Sequence, residues 1–504
     1  MTVSRPHAIV AGVGGAAVAL GAGELTAAVA SRSGPSPVTA VGTEFIDRYA
    51  ASLKDLAVSL FGTNDKAALI VGIVASSLVL GAVLGLAARR WWPIAAIGFV
   101  AFGCLGGAAL STDPLGSTST AVLSALVAVA AGIASFALLW RLASTPPIES
   151  TVPRRQFLLG VGAMVLVAVV SGALSRWLRD PGAVEAARRA TTLPRPRSST
   201  PPPRTQPFTV AGLSAFVTPN DDFFRIDTAL TTPRIDIGDW QLTVDGLVGR
   251  PFELTYDELL PLDSIEETIT LQCVSNEVGG SLVGNAVWQG VPLAALLERG
   301  RLQPGATQIV GHAVDGFTAG FPTELATDGR IAMVAYAMNG EPLPVEHGYP
   351  ARLIVAGLYG YVSATKWLDR IELTTWEDVD GYWVPRGWAK DGPIKTASRI
   401  DVPRSSTVVP SGPLVIAGVA WAPGRGISRV EVQIDDGAWQ TCQLGLVTSE
   451  NTWVQWRHTW NAAPGDHVAR VRATDGHGLV QTDEIASPAP DGASGWHSRR
   501  IRVR

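Results

Sequence analysis

The chain has 504 residues, of which 47% are apolar and only 17% are charged, whereas soluble domains carry about 25% charged residues. This composition argues against a purely soluble enzyme and against a disordered chain, which would be poor in apolar residues. The net charge of −4 provides no positive field that would favour nucleic acid as a partner. Three cysteines are too few for a disulfide framework or for a zinc site of four thiolates.

The apolar excess lies at the beginning of the chain. Five mostly apolar windows are each about 18 residues or longer, which is enough for a helix to cross a hydrocarbon core of about 30 Å. They cover residues 8–30, 67–88, 93–110, 121–140 and 157–174. We therefore predict an α-helical membrane bundle of about five spans over residues 1–178, with the lipid bilayer as a partner.

Basic residues predict the orientation of these spans. Arg89 and Arg90 follow the second window, and Arg141, Arg154 and Arg155 lie between the fourth and the fifth. The positive-inside rule places these loops and the N-terminus in the cytoplasm. Five crossings then predict a multi-pass protein of the cytoplasmic membrane whose remaining chain is extracytoplasmic.

Two features of this region leave alternatives open, and a third excludes a haem site. The segment Pro153–Leu158 (PRRQFL) resembles a twin-arginine export signal, although two arginines before a span also occur in ordinary membrane anchors. Glu24 is a functional intramembrane acid, an acid near a membrane interface or an acid that faces a neighbouring helix. His7 is the single histidine here, so a haem held by two histidines is excluded.

Residues 179–207 form a predicted Pro/Arg-rich linker. Six prolines occur between 194 and 207, and residues 188–207 contain no acid. This composition predicts a semi-rigid, polyproline-like spacer rather than a core element. Its arginines are either solvated or in contact with lipid headgroups.

Two further domains are predicted. Residues 208–376 mix short strands and helices without a βαβ rhythm, which indicates an α+β domain. This region contains neither a GxGxxG turn between a strand and a helix nor a P-loop, so a nucleotide cofactor is unsupported. From about residue 400 the chain runs strand after strand with turns between them, which predicts an immunoglobulin-like β-sandwich over residues 377–504. We expect its tryptophans to be core residues, with sugar or peptide binding as the alternative.

Two segments carry candidate chemistry. Cys273 ends a predicted strand and precedes a polar, glycine-rich loop, where a thiolate suits a soft metal unless it is only a packing residue. His347 and Arg352 follow a turn-rich segment, and 357–366 adds amides, hydroxyls and Lys366. Such groups can hold an anion, and structural turns with surface charge are the alternative.

Together these motifs resemble the sulfite oxidase family of molybdopterin enzymes. The resemblance covers Met338–Arg352, Lys366–Leu368, Thr218–Arg225 and Thr270–Cys273. The C-terminal region is similar to the dimerisation domain of that family, which implies a homodimer. Membrane spans lie outside the usual family pattern, although the resemblance extends to membrane-anchored bacterial relatives.

The resemblance implies Mo-molybdopterin as cofactor and Cys273 as the thiolate ligand of molybdenum. The positions that match cofactor-contacting residues of the family are Asn220, Phe223, Phe224, Arg225, Ile226, Asp227, Asp315, His347, Arg352, Ala364, Thr365 and Lys366.

The substrate side departs from the family pattern. Sulfite-oxidising members place arginines soon after the cysteine, whereas this chain has Val274–Glu277, which offers an acid. Phe317 stands where a tyrosine is expected near the metal. Both departures weaken the prediction of a dianionic substrate, and they favour reduction of S-oxides, or an unknown substrate, over oxidation of sulfite. No haem-binding segment is evident, so we expect a separate electron-transfer partner or a membrane quinone.

We therefore predict a membrane-anchored molybdopterin-dependent oxidoreductase that carries out oxo transfer on a small-molecule substrate outside the membrane. One alternative is sulfite oxidation proper. The other is a cofactor-free membrane receptor or scaffold that uses the β-sandwich.

Overall fold

The computed structural model describes residues 3–48, 65–144, 152–179, 182–202, 208–405 and 407–504. The chain divides into two compact units. The first contains Met1–Ala183 and Thr228–Arg234, and the second contains Val184–Asp227 and Ile235–Arg504.

The first unit is helical. Its long helices are α1 (Arg5–Ala30), α2 (Asp65–Ala88), α3 (Pro93–Thr112), α4 (Thr118–Ser144) and α5 (Val152–Leu178). Residues 37–48 form a further helical segment. Within the described ranges, five helices are long and apolar enough to cross a membrane, so the five apolar windows are confirmed as helices. Parts of the interhelical segments, including residues 49–64 and 145–151, lie outside the description.

Small residues allow α1 and α2 to pack closely. A Cβ atom on Gly12 would lie 2.0 Å from the carbonyl oxygen of Gly81, and one on Gly85 would lie 2.0 Å from that of Ala8. The pairs Ala8/Gly12 and Gly81/Gly85 each have four-residue spacing, which is typical of close helix contacts in membranes.

Glu24 lies near the end of α1 and is paired. Its carboxylate accepts a hydrogen bond from the Val38 N–H at 3.0 Å and lies 3.6 Å from the Arg179 guanidinium. The Ser175 hydroxyl donates to the Glu24 carbonyl oxygen at 3.1 Å. These contacts agree with the interpretation of Glu24 as an acid that faces neighbouring elements.

The predicted linker differs from a free spacer. It contains the helix α6 (Gly182–Ala190) and the two-residue strand β1 (Ser198–Ser199), which pairs in parallel with residues 265–266. Arg188 on α6 is buried because two carboxylates neutralise its charge. Part of this segment therefore packs on the α+β domain, while residues 203–207 lie outside the description.

The α+β domain is built on two sheets. The first has the order β1-β4-β5-β8-β10, with β9 paired to β8, and the second has the order β3-β2-β11-β6-β7. The strands are β2 (Gln241–Gly246), β3 (Phe252–Thr255), β4 (Ile265–Gln272), β5 (Val283–Pro292), β6 (Gln308–Ala313), β7 (Thr318–Pro322), β8 (Ala332–Met338), β9 (Glu341–Pro342), β10 (Arg352–Val355) and β11 (Leu368–Thr374). The helices are α7 (Tyr256–Leu259), α8 (Leu293–Gly300) and α9 (Gly360–Ser363). One hydrophobic cluster spans both sheets and includes Trp288, Leu353 and Ile371.

Residues 397–504 form two more sheets, which we call the C-terminal sheets. Their orders are β12-β14-β18-β17 and β13-β20-β19-β15-β16. The strands are β12 (Ala397–Val402), β13 (Val408–Val409), β14 (Gly412–Trp421), β15 (Ile427–Ile434), β16 (Gln440–Thr441), β17 (Gln443–Leu444), β18 (Val454–Ala462), β19 (Gly465–Asp475) and β20 (His497–Val503). The two sheets share a core that includes Ile416, Val430, Trp456 and Val471.

Tryptophans join the C-terminal sheets to the α+β domain. Trp421 and Trp453 belong to the core of that domain. The Trp421 indole donates to the side-chain oxygen of Gln272 at 2.7 Å, and the Trp453 indole donates to the Phe216 carbonyl at 2.8 Å. Because Gln272 precedes Cys273, this packing supports the end of β4.

Candidate active site

Cys273 follows β4 directly and begins a closed loop. Its N–H donates to the Leu282 carbonyl at 3.0 Å, and the side-chain oxygen of Asn276 accepts from the Leu282 N–H at 2.8 Å. Cys273 is half-buried, and its Sγ atom lies 3.0 Å from the Ser275 hydroxyl. The loop therefore presents the sulfur at the end of a strand, as the sequence predicts.

Arg352 begins β10 and carries a buried charge. Its guanidinium donates to the carbonyl oxygens of His347 at 3.0 Å and Ala364 at 3.3 Å, and it lies 5.0 Å from the ring centroid of Trp288. Among the described residues, its Nε atom has no hydrogen-bond partner and no carboxylate forms an ion pair with it. Burial lowers the pKa of Arg352 to about 9, so the folded chain holds this cation at a cost.

His347 lies in a 3₁₀ turn (Val345–His347) just before Arg352. Its Nε2 atom is 2.9 Å from the Asn220 carbonyl oxygen, and because a carbonyl only accepts, Nε2 carries the proton. Burial lowers the pKa of His347 and favours the neutral ring. The ring also meets Phe223 edge-on at 5.6 Å.

The early loop 220–227 contributes aromatic rings and charges. Phe223 is buried, stacks on Phe224 at 5.1 Å, and meets Trp288 edge-on at 5.8 Å. Ile226 is exposed. Asp227 has a buried carboxylate that forms ion pairs with Arg225 and Lys366.

Lys366 ends the segment 364–366, which lies beside β10 and the turn at Asp315. Its ammonium group also donates to the Glu346 carbonyl at 3.1 Å, beside His347. The Thr365 carbonyl accepts from the Leu353 N–H at 2.9 Å, which aligns this segment with β10. The turn at Asp315 is adjacent, because the Val314 N–H donates to the Trp367 carbonyl at 3.1 Å.

Direct contacts thus join most of the predicted site residues into one cluster. The helix α9 connects this cluster to the segment of Cys273. At its first residue, a Cβ atom on Gly360 would lie 3.9 Å from the carbonyl oxygen of Gln272, which precedes Cys273. At its other end the helix is followed by Ala364, which belongs to the cluster. Gly348 permits the close packing: its φ is +111°, and a Cβ atom there would lie 3.1 Å from the Cα of Lys366.

Sequence reasoning missed several members of this cluster. Trp288, Asn339 and Glu341 contact predicted site residues. Asn339 and Glu341 lie within the motif Met338–Arg352 but were not predicted as site residues, and Trp288 carries no local sequence signal. Gly348 follows His347 directly, and a glycine beside a candidate histidine is a signal that could have been used.

The donor set fits an anionic cofactor that brings its own metal ligands. Within the described residues, no group of three or more His, Cys, Asp or Glu side chains could hold a metal ion. A soft metal at Cys273 therefore needs ligands other than a cluster of these described side chains. The unpaired Nε of buried Arg352 suits an anion, since charge-assisted hydrogen bonds are among the strongest.

Comparison with known proteins agrees with this chemistry. Residues 229–383 match the model of the oxidoreductase molybdopterin binding domain. Mitochondrial sulfite oxidase of Rattus norvegicus is 29% identical over 293 residues, which are 50% of this chain and 52% of that protein. NADH nitrate reductase of Solanum lycopersicum is 30% identical over 268 residues, which are 42% of this chain and 29% of that protein.

A solved structure is also similar. The sulfane dehydrogenase SoxCD of Paracoccus pantotrophus superposes with a TM-score of 0.52 at 25% identity, covering 58% of this chain and 84% of that chain. The chain spans about half the length of the mitochondrial sulfite oxidases that it matches. The matched domain, these relatives and the solved structure make this chain similar to the molybdopterin-binding oxidoreductases of the sulfite oxidase family.

Proposed function

We propose that the protein is a membrane-anchored, molybdopterin-dependent enzyme that carries out oxo transfer on a small substrate outside the cytoplasmic membrane. The observation that carries this proposal is the buried guanidinium of Arg352, which has an unpaired Nε and no carboxylate partner among the described residues. A buried cation of this kind is costly unless an anion completes its hydrogen bonds.

Each site residue has a role in this proposal. Cys273 ligates molybdenum, and Arg352, Lys366 and the backbone of 364–366 hold the phosphate of the pterin. His347 donates from Nε2 to Asn220, so its Nδ1 atom is left to accept a hydrogen bond. The remaining predicted positions line the pterin: Asn220, Phe223, Phe224, Arg225, Ile226, Asp227 and Asp315. When bound, the cofactor supplies a metal that changes oxidation state while an oxygen atom is exchanged with the substrate.

The five long apolar helices support membrane anchoring. The arginines between them favour an extracytoplasmic catalytic domain. Because a molybdopterin enzyme that folds around its cofactor in the cytoplasm needs export in the folded state, the segment Pro153–Leu158 is proposed as a twin-arginine signal.

The surroundings of Cys273 favour a substrate of low charge. Glu277 in the following loop is exposed. Arg399 reaches the loop by donating to the Gly280 carbonyl at 2.7 Å, but its charge is paired with Asp401 at 2.7 Å. The relatives are named for sulfite, nitrate and sulfane, so the shared domain does not dictate the substrate. A small S-oxide is the favoured substrate, and sulfite is the second candidate.

Two partners complete the proposal. Electrons pass to or from a separate electron-transfer protein or a membrane quinone. The two C-terminal sheets share one core and are proposed to be an immunoglobulin-like domain through which the protein forms a homodimer.

Metal analysis tests the proposal. The full-length protein, produced in cells with active molybdopterin synthesis, should contain close to one molybdenum per chain, and Cys273→Ser should lose most of it. Cys104→Ser, which changes a cysteine on α3, is the matched control and should retain the metal. Wild-type protein that is folded but free of molybdenum would support the cofactor-free receptor instead.

The direction of the reaction requires a second assay. Reduced viologen with small S-oxides tests reduction, and ferricyanide with sulfite tests oxidation. Turnover in the first assay alone supports an S-oxide reductase, and turnover in the second alone supports sulfite oxidation.

A further inference from the structure

A buried arginine outside the predicted site lies on the helix that follows the fifth apolar helix in the sequence. Arg188 is the seventh residue of α6 (Gly182–Ala190), and its side chain is only 11% exposed. Nε and a terminal nitrogen bond the Glu185 carboxylate at 2.9 and 2.8 Å. The other terminal nitrogen donates to the Pro342 carbonyl at 2.8 Å and lies 3.3 Å from the Glu341 carboxylate.

Glu341 also contacts the early loop of the site. Its second carboxylate oxygen accepts a hydrogen bond from the side-chain nitrogen of Asn220. The side-chain oxygen of Asn220 accepts from the side-chain nitrogen of Asn339 at 2.7 Å. Asn220 is therefore held at both ends of its amide group, and its position depends on where Glu341 lies.

Asn220 in turn fixes His347. The Asn220 carbonyl accepts from Nε2 of His347 at 2.9 Å, and the His347 carbonyl accepts from Arg352 at 3.0 Å. An unbroken series of polar contacts thus runs from Arg188 through Glu341, Asn220 and His347 to Arg352. All five residues belong to the second unit.

We propose that Arg188 is a positioning residue for the cofactor site: by holding Glu341, it keeps Asn220 and His347 where the cofactor requires them. This inference rests on the proposed function. Residues outside the first layer of contacts commonly tune a metal or cofactor site in this way. The segment that directly follows the apolar helices is therefore part of the support of the site and does more than connect two regions.

Arg189 provides a matched control. It is the next residue on α6 and bonds the same Glu185 at 2.8 Å, but its side chain is 74% exposed, and in the described part of the chain it forms no ion pair with Glu341. Arg188→Gln and Arg189→Gln remove the same charge from the same helix. Only the first removes the contact with Glu341.

The test uses the full-length protein purified in detergent. We measure molybdenum and pterin per chain and the rate at which the cofactor is released on dilution. Arg188→Gln should release it about tenfold faster than wild type, whereas Arg189→Gln should match wild type. Arg188→Lys, which keeps the charge, should restore most of the retention.

A double variant separates positioning from general destabilisation. If Arg188 acts through Glu341, Arg188→Gln combined with Glu341→Gln should release the cofactor no faster than the faster single variant. The inference would be overturned if the two changes multiplied each other's effect on the release rate. It would also be overturned if Arg188→Gln released the cofactor at the wild-type rate. Wild-type protein that holds no molybdenum would instead overturn the proposed function.

Discussion

The guanidinium of Arg352 donates a hydrogen bond to the His347 carbonyl at 3.0 Å, while its Nε atom has no partner among the described residues. The two residues are five positions apart and both side chains are buried. Their arrangement holds a positive charge in the interior and leaves a donor available to an anion.

Cofactor uptake should depend on the charge of Arg352. Burial lowers the pKa of this residue, but a guanidinium stays charged over the pH range in which proteins are folded, so its charge attracts an anionic cofactor throughout that range. Arg352→Gln removes the charge, and cofactor-free protein with this change should take up much less molybdopterin than wild type. Pterin bound per chain measures the effect, and a variant that binds as much pterin as wild type would contradict the prediction.

His497 should make the fold sensitive to acid. Its Nδ1 atom accepts a hydrogen bond from the Ile400 N–H at 2.9 Å, and burial lowers its pKa from 6.5 to about 4. The unfolded chain therefore binds a proton at a higher pH than the folded chain does. The contribution of His497 to the free energy of unfolding is therefore fully present above pH 6.5. It is lost as the pH drops towards 4, and the loss is about 3 kcal/mol.

Chemical unfolding between pH 7 and 4 measures this loss. His497→Asn retains an acceptor but removes the titrating ring, so its stability should fall less steeply over the same range. An unchanged slope would show that other groups dominate the acid response.

Gly279 should be required for the position of the loop that contains Cys273. It has a φ of +77°, and a Cβ atom there would lie 2.2 Å from the His497 ring. Gly279→Ala should displace the loop and lower both stability, by about 2 kcal/mol, and molybdenum content. Gly305 is the control, since it has a φ of +97° but an added Cβ would meet no atom within 4 Å. If Gly279→Ala and Gly305→Ala lowered stability and molybdenum content equally, the loss would come from backbone strain alone.

Gly85 should be required for packing of the helical unit. A Cβ atom there would lie 2.0 Å from the Ala8 carbonyl oxygen, so Gly85→Val must separate α1 from α2. We expect a loss of about 1–3 kcal/mol, measured as a lower melting temperature in detergent. Gly72 on the same helix has no atom within 4 Å of an added Cβ, and Gly72→Val should melt like wild type.

Local patterns in the sequence determined much of this protein. A long apolar run has one stable form in lipid, because a helix satisfies its own backbone hydrogen bonds, and each of the five windows is a helix. Cys273 was also predictable at a strand end, since alternation and a following glycine-rich loop are short-range signals. The segment from His347 to Arg352 and the position of Lys366 suggested an anion site for the same reason.

Only the tertiary structure decided how these pieces meet. Arg188 and Glu341 are 153 positions apart, and Asn220 and His347 are 127 apart, so no local pattern could pair them. The local sequence of a buried strand does not indicate whether a tryptophan in it faces a cation, so Trp288 was not predicted as a site residue. The segment after the apolar helices has the composition of a spacer, yet Arg188 is buried there, because sheet packing brings the distant Glu341 to it beside its local partner Glu185. The sequence alone indicates that a charged residue is costly to bury, whereas only the three-dimensional arrangement supplies the partners that offset this cost.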